Sequence, residues 1–207
     1  MARKLIIVDT ETSGLDPAIH LPLEVAAINT ESGETLRFVP YISGLRIQIG
    51  RHTQPDADAT YAVGDPDALR INRYYEREIY RDMASANDTV GRYRDLWKML
   101  AGNTFGGCNP SFDARMLVAG YRHAVGICNL AVTYREWEPV WHHRLADLSA
   151  YAAPTLGLAP TELPGLHQVC TLLGVTNTAP HTALGDARAT ADCFREVAIH
   201  AVVEGPL

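Results

Sequence analysis

The 207-residue chain has no C-x-x-C pair: its four cysteines, Cys108, Cys128, Cys170 and Cys193, are widely spaced. That spacing argues against a zinc ribbon or a disulfide framework and reads as reduced thiols in a cytoplasmic protein. Positive charge is also in short supply. With 18 Lys and Arg against 24 Asp and Glu the net charge is −6, so a non-specific nucleic-acid coat protein is excluded and any grip on phosphate must be local or metal-mediated. Long apolar runs are missing as well. The aliphatic stretch after Met1-Ala2-Arg3-Lys4 stops at Asp9, short of the roughly 7–15 residues of a signal-peptide core. Nothing approaches the ~20 residues of a membrane span, which predicts a protein with no membrane partner. The 47% hydrophobic content suffices for one core, and a single domain over 1–207 is expected.

What is present centres on Leu5-Ile6-Ile7-Val8-Asp9-Thr10-Glu11-Thr12-Ser13-Gly14-Leu15. Four consecutive aliphatics predict a central strand covered on both faces. Side chains alternate along a strand, so Asp9 and Glu11 project from one face at its exit. Gly14 is expected to turn the chain away and leave both carboxylates at a rim. Chance supplies about 0.7 Asp-x-Glu triplets in a chain this acidic, so the triplet means little without the buried strand in front of it. Hard oxygen ligands in that place suit Mg²⁺ or Mn²⁺.

Residues 23–28 and 35–41 bracket Glu31-Ser32-Gly33-Glu34 and predict an antiparallel hairpin. Within it Glu24 is assigned to pairing or solvation at a strand edge. Residues 42–67, rich in Gly, Pro, Asp and Thr, predict a long surface excursion. Asp67 to Asp82 is helical in pattern, with Arg70, Arg73, Arg77 and Arg81 on one face and Tyr74, Tyr75 and Tyr80 interleaved. That stripe could be a solvated face; alternatively Arg73 and Arg77 guide phosphates while Tyr74 or Tyr75 offers a stacking surface. A further helix is predicted over 88–101.

Thr104-Phe105-Gly106-Gly107 predicts a short strand with close backbone approach at its glycines, and Pro110 opens a helix whose first turn carries Asp113. An edge strand is expected within 144–148. The segment 163–173 forms an amphipathic helix ended by Gly174. The last segment carries small and apolar residues from Leu184 to Ala201 at helical spacing, with Asp186 about one turn inside and His181 just before the start. Asp9, Glu11, Asp113 and Asp186 then supply four carboxylates from separate parts of the chain, enough to hold two divalent cations for phosphoryl transfer. His181, as an imidazole able to take up a proton, fits as the proton acceptor.

Three stretches, Asp9 to Leu15, Asn109-Pro110-Ser111-Phe112-Asp113-Ala114-Arg115-Met116-Leu117 and His181-Thr182-Ala183-Leu184-Gly185-Asp186-Ala187, closely resemble the motifs of the DEDDh 3′→5′ exonucleases. These are the DnaQ-like group of proofreading subunits and ribonuclease T. The resemblance implies an α/β ribonuclease H-like fold, a mixed central sheet flanked by helices. It implies Asp9, Glu11, Asp113 and Asp186 as ligands of two Mg²⁺ or Mn²⁺ ions, and His181 as general base. Thr10, Thr12, Gly14, Leu15, Asn109 and Phe112 would then lie against the substrate. The implied activity is release of nucleoside monophosphates from a nucleic-acid 3′ end, single-stranded DNA ahead of RNA. The implied partners are that strand and either a second copy or a polymerase or replication protein. Cys108 stands where the family commonly has histidine, Pro110 also departs from the pattern, and 42–90 matches weakly as a surface segment. Two readings from other classes remain. One is a haloacid-dehalogenase-like phosphatase with Asp9 as nucleophile, although Glu11 is a methylene too long for its second acid. The other is a non-catalytic nucleic-acid-binding module, which would not need His181.

Overall fold

A computed structural model describes residues 2–47, 61–130 and 134–203 of the chain. Strand β1 (Leu5–Thr12) occupies the middle of a five-stranded mixed sheet. It pairs antiparallel with β2 (Pro22–Asn29), which pairs antiparallel with β3 (Thr35–Phe38). The next two strands, β4 (Leu45–Ile47) and β5 (Ala62–Gly64), form a small parallel pair of their own. Helices α1 (Pro66–Ile71) and α2 (Ala86–Leu100) follow. Strand β6 (Thr104–Gly107) joins the other side of β1 in parallel, and α3 (Pro110–Ile127) leaves from it. The edge strand β7 (Ala146–Asp147) leads into α4 (Leu148–Ala152), α5 (Leu166–Leu173) and α6 (Ala183–Val203). Among the described residues no helix is long and apolar enough to cross a membrane.

The alternation of β1 divides the molecule into layers. Ile6 and Val8 face a core shared with Tyr93 and Trp97 of α2 and Leu117 of α3, whereas Ile7 faces Ala183 and Ala187 of α6. Ile6, Ile7 and Val8 are fully buried, each contributing about 1.5–3 kcal/mol of hydrophobic stabilisation. The parity continues past Val8, so Asp9 and Glu11 lie on the α6 side and Thr10 on the α3 side. Two glycines make the layers close. A Cβ on Gly107 would sit 3.0 Å from the Val8 carbonyl oxygen, and one on Gly185 would collide with the Ala179 carbonyl.

Three expectations are corrected here. The segment 67–82 is not one helix. It stops at Ile71, Arg73 and Glu78 adopt left-handed backbone, and a 3₁₀ turn spans Ile79–Asp82. Tertiary burial overrides the periodicity: Asn72, Tyr74 and Ile79 are drawn inward, the last two against Leu21, Leu23 and Val39. The arginines therefore share no face. The segment 42–90 is likewise not merely superficial, because Ile42, Ala62, Leu69 and Val90 are core residues; the part of the excursion at 48–60 lies outside the described residues. Finally, the chain does turn away at Gly14, without left-handed backbone, but Glu11 is buried rather than at a rim. The chain beyond it folds back, with the Ser13 amide donating to the Leu21 carbonyl and the Leu21 amide to the Ser13 hydroxyl.

Candidate active site

Glu11, His181 and Asp186 each offer a ligand atom, and these atoms lie within 4.8 Å of one another. Glu11 comes from the end of β1, Asp186 from the first turn of α6 and His181 from the loop before it. That loop is shaped by the carboxylate it presents. The His181 amide donates to Asp186 Oδ2 at 3.3 Å with His181 in left-handed backbone, and Asn177 Nδ2 donates to Asp186 Oδ1 at 2.6 Å. Asp113 enters from α3 on the opposite side of β1. Thr10 holds it through both its amide (2.9 Å) and its hydroxyl (2.7 Å), donating to Asp113 Oδ1.

Burial raises all four acids, and neighbouring carboxylates add to it at Asp9 and Glu11. Burial, then the charges of Asp113, Glu11 and Asp186, push the Asp9 carboxyl well above the usual aspartate range. Burial and the charges of Asp186 and Glu24 push Glu11 up to about 8. Burial raises Asp113 to about 7 against the opposing hydrogen bonds from Thr10, and burial also raises Asp186 against those from Asn177 and His181. A cluster of carboxylates that cannot all ionise in a dry site is one that a divalent cation would relieve. The donor set is all hard oxygen with one imidazole, which fits Mg²⁺ or Mn²⁺.

Glu24 is the residue that the sequence undersold. It is 1% exposed, sits directly opposite Glu11 in the β1–β2 register and is not at an edge. Arg37 Nε donates to its Oε1 at 2.7 Å, Arg77 Nη2 to its Oε2 at 2.6 Å, and the Ala183 amide at the start of α6 to the same Oε2 at 3.3 Å. Arg77 also donates through Nη1 to the carbonyls of His181 (2.6 Å) and Asn72 (3.1 Å), and Asn72 Nδ2 donates to the Thr12 carbonyl. One arginine thus ties β2, the 72–77 turn and the His181 loop together. An acid within the otherwise apolar Pro22-Leu23-Glu24-Val25-Ala26-Ala27-Ile28 was the available signal, since a charge in a buried run needs a partner. No sequence signal singled out Asn177.

The remaining candidates divide. Leu15 is 79% exposed beside the site, Asn109 caps α3 from left-handed backbone, and Phe112 is half-buried. Thr12 donates its hydroxyl to the Gly14 carbonyl. The donors of Thr10 are occupied by Asp113. Arg73 is exposed, but Arg77 is committed to Glu24 and His181, and Tyr74 is 4% exposed with its ring edge-on to Tyr75. A phosphate-guiding stripe through Arg77 with Tyr74 as stacking surface is therefore not what forms: burial and the Glu24 ion pair take both side chains.

No protein-family model matches the sequence, and no curated protein matches it. Solved structures do. Exonuclease I aligns with a TM-score of 0.62 at 22% identity over 96% of this chain. E. coli exonuclease I in complex with a dT13 oligonucleotide aligns at 0.64 and 20% over 98%, and exonuclease I from Methylocaldum szegediense at 0.61 and 22% over 98%. The chain spans 41–43% of the length of those proteins. The five-stranded mixed sheet with its flanking helices is the ribonuclease H-like fold of exonuclease I.

Proposed function

We propose that the chain is a divalent-metal-dependent 3′→5′ exonuclease that removes nucleoside monophosphates from single-stranded DNA. The observation that carries this reading is the convergence of Glu11, Asp186 and His181 within 4.8 Å, with Asp9 close enough to them and to Asp113 that their charges raise its carboxyl. Bound ions would neutralise the acids, favour water ionisation and stabilise the leaving 3′ oxygen. Everything else falls to the chain. His181 accepts the proton of the attacking water on an imidazole nitrogen. Its loop is held by the hydrogen bond from Arg77, so the base cannot drift from the acids. Thr10 and Asn177 fix the carboxylates of Asp113 and Asp186, the same outer-shell support that ligating carboxylates generally need. Leu15 is 79% exposed and so free to pack against the terminal nucleotide, the contact that the family resemblance implies. The dT13 complex of E. coli exonuclease I supports the choice of a single strand of DNA.

The test is incubation of the purified protein with 5′-end-labelled single-stranded DNA, duplex DNA and RNA, with Mg²⁺, with Mn²⁺ and with chelator. A ladder shortening from the 3′ end, abolished by chelator and fastest on single-stranded DNA, is expected. Undiminished hydrolysis in chelator, internal cleavage, or no cleavage with either ion overturns the reading; faster shortening of RNA makes the enzyme an exoribonuclease.

A further inference from the structure

On the Glu24 side of the acid site the arginines are consumed by ion pairs. Along α3, the helix that carries Asp113, runs a cavity of about 1120 Å³, and among the described residues no Asp or Glu lines it. Its cations are Arg115 and Arg122, and the rings of His20, His123, His143, Tyr61 and Trp141 line the rest of it. In a chain of net charge −6 a groove free of acids and furnished with arginine and aromatic rings is complementary to a polyanion that carries bases.

The placement is set by the two elements that build the acid site. Arg115 lies two residues after Asp113, and Arg122 is seven residues further on, two turns along the same helical face. Both are exposed, and neither forms an ion pair among the described residues. Arg115 donates only Nε to the Ser111 carbonyl, and the Arg122 guanidinium stands 5.8 Å from the Trp137 ring centre. The opposite wall is His20, whose ring lies against Gly14 so closely that a Cβ there would collide with it. His20 is 5% exposed; its Nδ1 accepts from the Asp16 amide at 3.0 Å, so the proton of the neutral ring is on Nε2. That buried Nε2 donor has no partner among the described residues, and neither does Nε2 of His123.

We propose that this cavity is the track for the strand upstream of its 3′-terminal nucleotide, with Arg115 and Arg122 on two phosphates and Trp141 as a stacking surface. The inference rests on the exonuclease reading for the direction of the strand, whereas the binding itself can be tested without turnover. Anisotropy of labelled dT3 and dT12 in chelator compares a strand confined to the acid site with one long enough to occupy the track. The intact protein binds dT12 more tightly than dT3. In Arg115→Gln/Arg122→Gln that advantage collapses. Losing two phosphate contacts flattens the slope of log affinity against log salt by about 1.4, so across a fourfold rise in salt the intact protein loses about sevenfold more affinity than the variant. Arg115→Lys/Arg122→Lys keeps the slope, which separates charge from local structure. An unchanged length advantage in the Gln variant, or an equal fall for dT3 and dT12, overturns the track. If the Gln variant loses the advantage while the intact protein never shortens dT12 in Mg²⁺, the track stands and the exonuclease falls. If the intact protein shortens dT12 while the Gln variant keeps the advantage, the exonuclease stands and the track falls.

Discussion

Glu11 and Glu24 face each other across the β1–β2 ladder, both buried and both glutamate, yet their carboxyls are driven in opposite directions. Burial and the neighbouring Asp186 and Glu24 charges push Glu11 up to about 8. Burial pushes Glu24 up as well, but hydrogen bonds from Arg77 and Arg37 outweigh it and hold the carboxyl below the usual glutamate range. The difference lies in the partners. A buried carboxylate with two guanidinium groups and a helix amide is a structural anion, complete in itself. A buried carboxylate among other carboxylates is an incomplete site, stable as an ionised cluster only with a cation added. The fold sets the complete anion beside the incomplete one and links them through Arg77, which holds the His181 loop over the acids.

Exchanging the two glutamates for glutamine is the strongest way to break this contrast. Glu11→Gln should reduce turnover by roughly 10³-fold, since several kcal/mol of charge stabilisation is lost at about 1.36 kcal/mol per factor of ten. The metal-free protein should keep or gain thermal stability, because glutamine removes an acid whose ionisation the fold suppresses at a cost to stability. Glu24→Gln should do the reverse: a loss of about 3 kcal/mol, or roughly 6–12 °C in Tm, with the acid cluster still able to bind Mn²⁺ by calorimetry. If both variants lose stability equally, Glu11 is not an uncompensated charge.

The link between the two regions is sharpened at its ends. His181→Ala should cost about 10²–10⁴-fold in kcat while divalent-ion binding survives, as expected for a lost general base. Arg77→Gln, acting only through the His181 carbonyl and Glu24, should cost about 10–100-fold in kcat. Its salt dependence of DNA binding should match that of the unaltered protein, because Arg77 is occupied by the chain; a flattened slope would return it to the phosphates.

The smallest effect is in pH. Glu11 at about 8 and Asp113 at about 7 lie above the ordinary values of 4.5 and 3.8, so the metal-free fold retains protons that the unfolded chain has shed. Their contribution is full below the unfolded values and is lost as pH rises through 7 to 8. The Tm of metal-free protein should therefore fall between pH 6.5 and 8.5, and Mg²⁺ should restore it most at the alkaline end. Glu24 has the opposite sign, its contribution being present above pH 4.5 and lost on acidification through its lowered value. His123, whose imidazole is lowered by burial, also opposes the fall near pH 6.5, so the comparison is with Glu11→Gln, which should flatten the curve. A Tm that rises with pH in both proteins would show that the acids are not driving it.

The sequence by itself determined the elements whose signals are local. The aliphatic run fixed β1 as the covered central strand, parity put Asp9 and Glu11 on one side of it, and Pro110 and Gly174 marked a helix start and a helix end where the chain has them. It also singled out the acids and the histidine that come together, because buried strand ends and helix first turns are read from neighbours in sequence. Tertiary structure alone decided the rest. The helical period of Arg70, Arg73, Arg77 and Arg81 is real in the sequence but is broken by left-handed residues at Arg73 and Glu78, where burial of Tyr74 and Ile79 gains more than helix continuation. Glu24 reads as an edge acid until Arg37, Arg77 and the Ala183 amide converge on it from 13, 53 and 159 residues away. The acid-free cavity draws Arg115 and Arg122 from one helix, His20 from a distant loop and Trp141 from beyond it. A charge's partners and a cavity's walls depend on which distant segments meet, and periodicity along a single segment carries no record of that meeting.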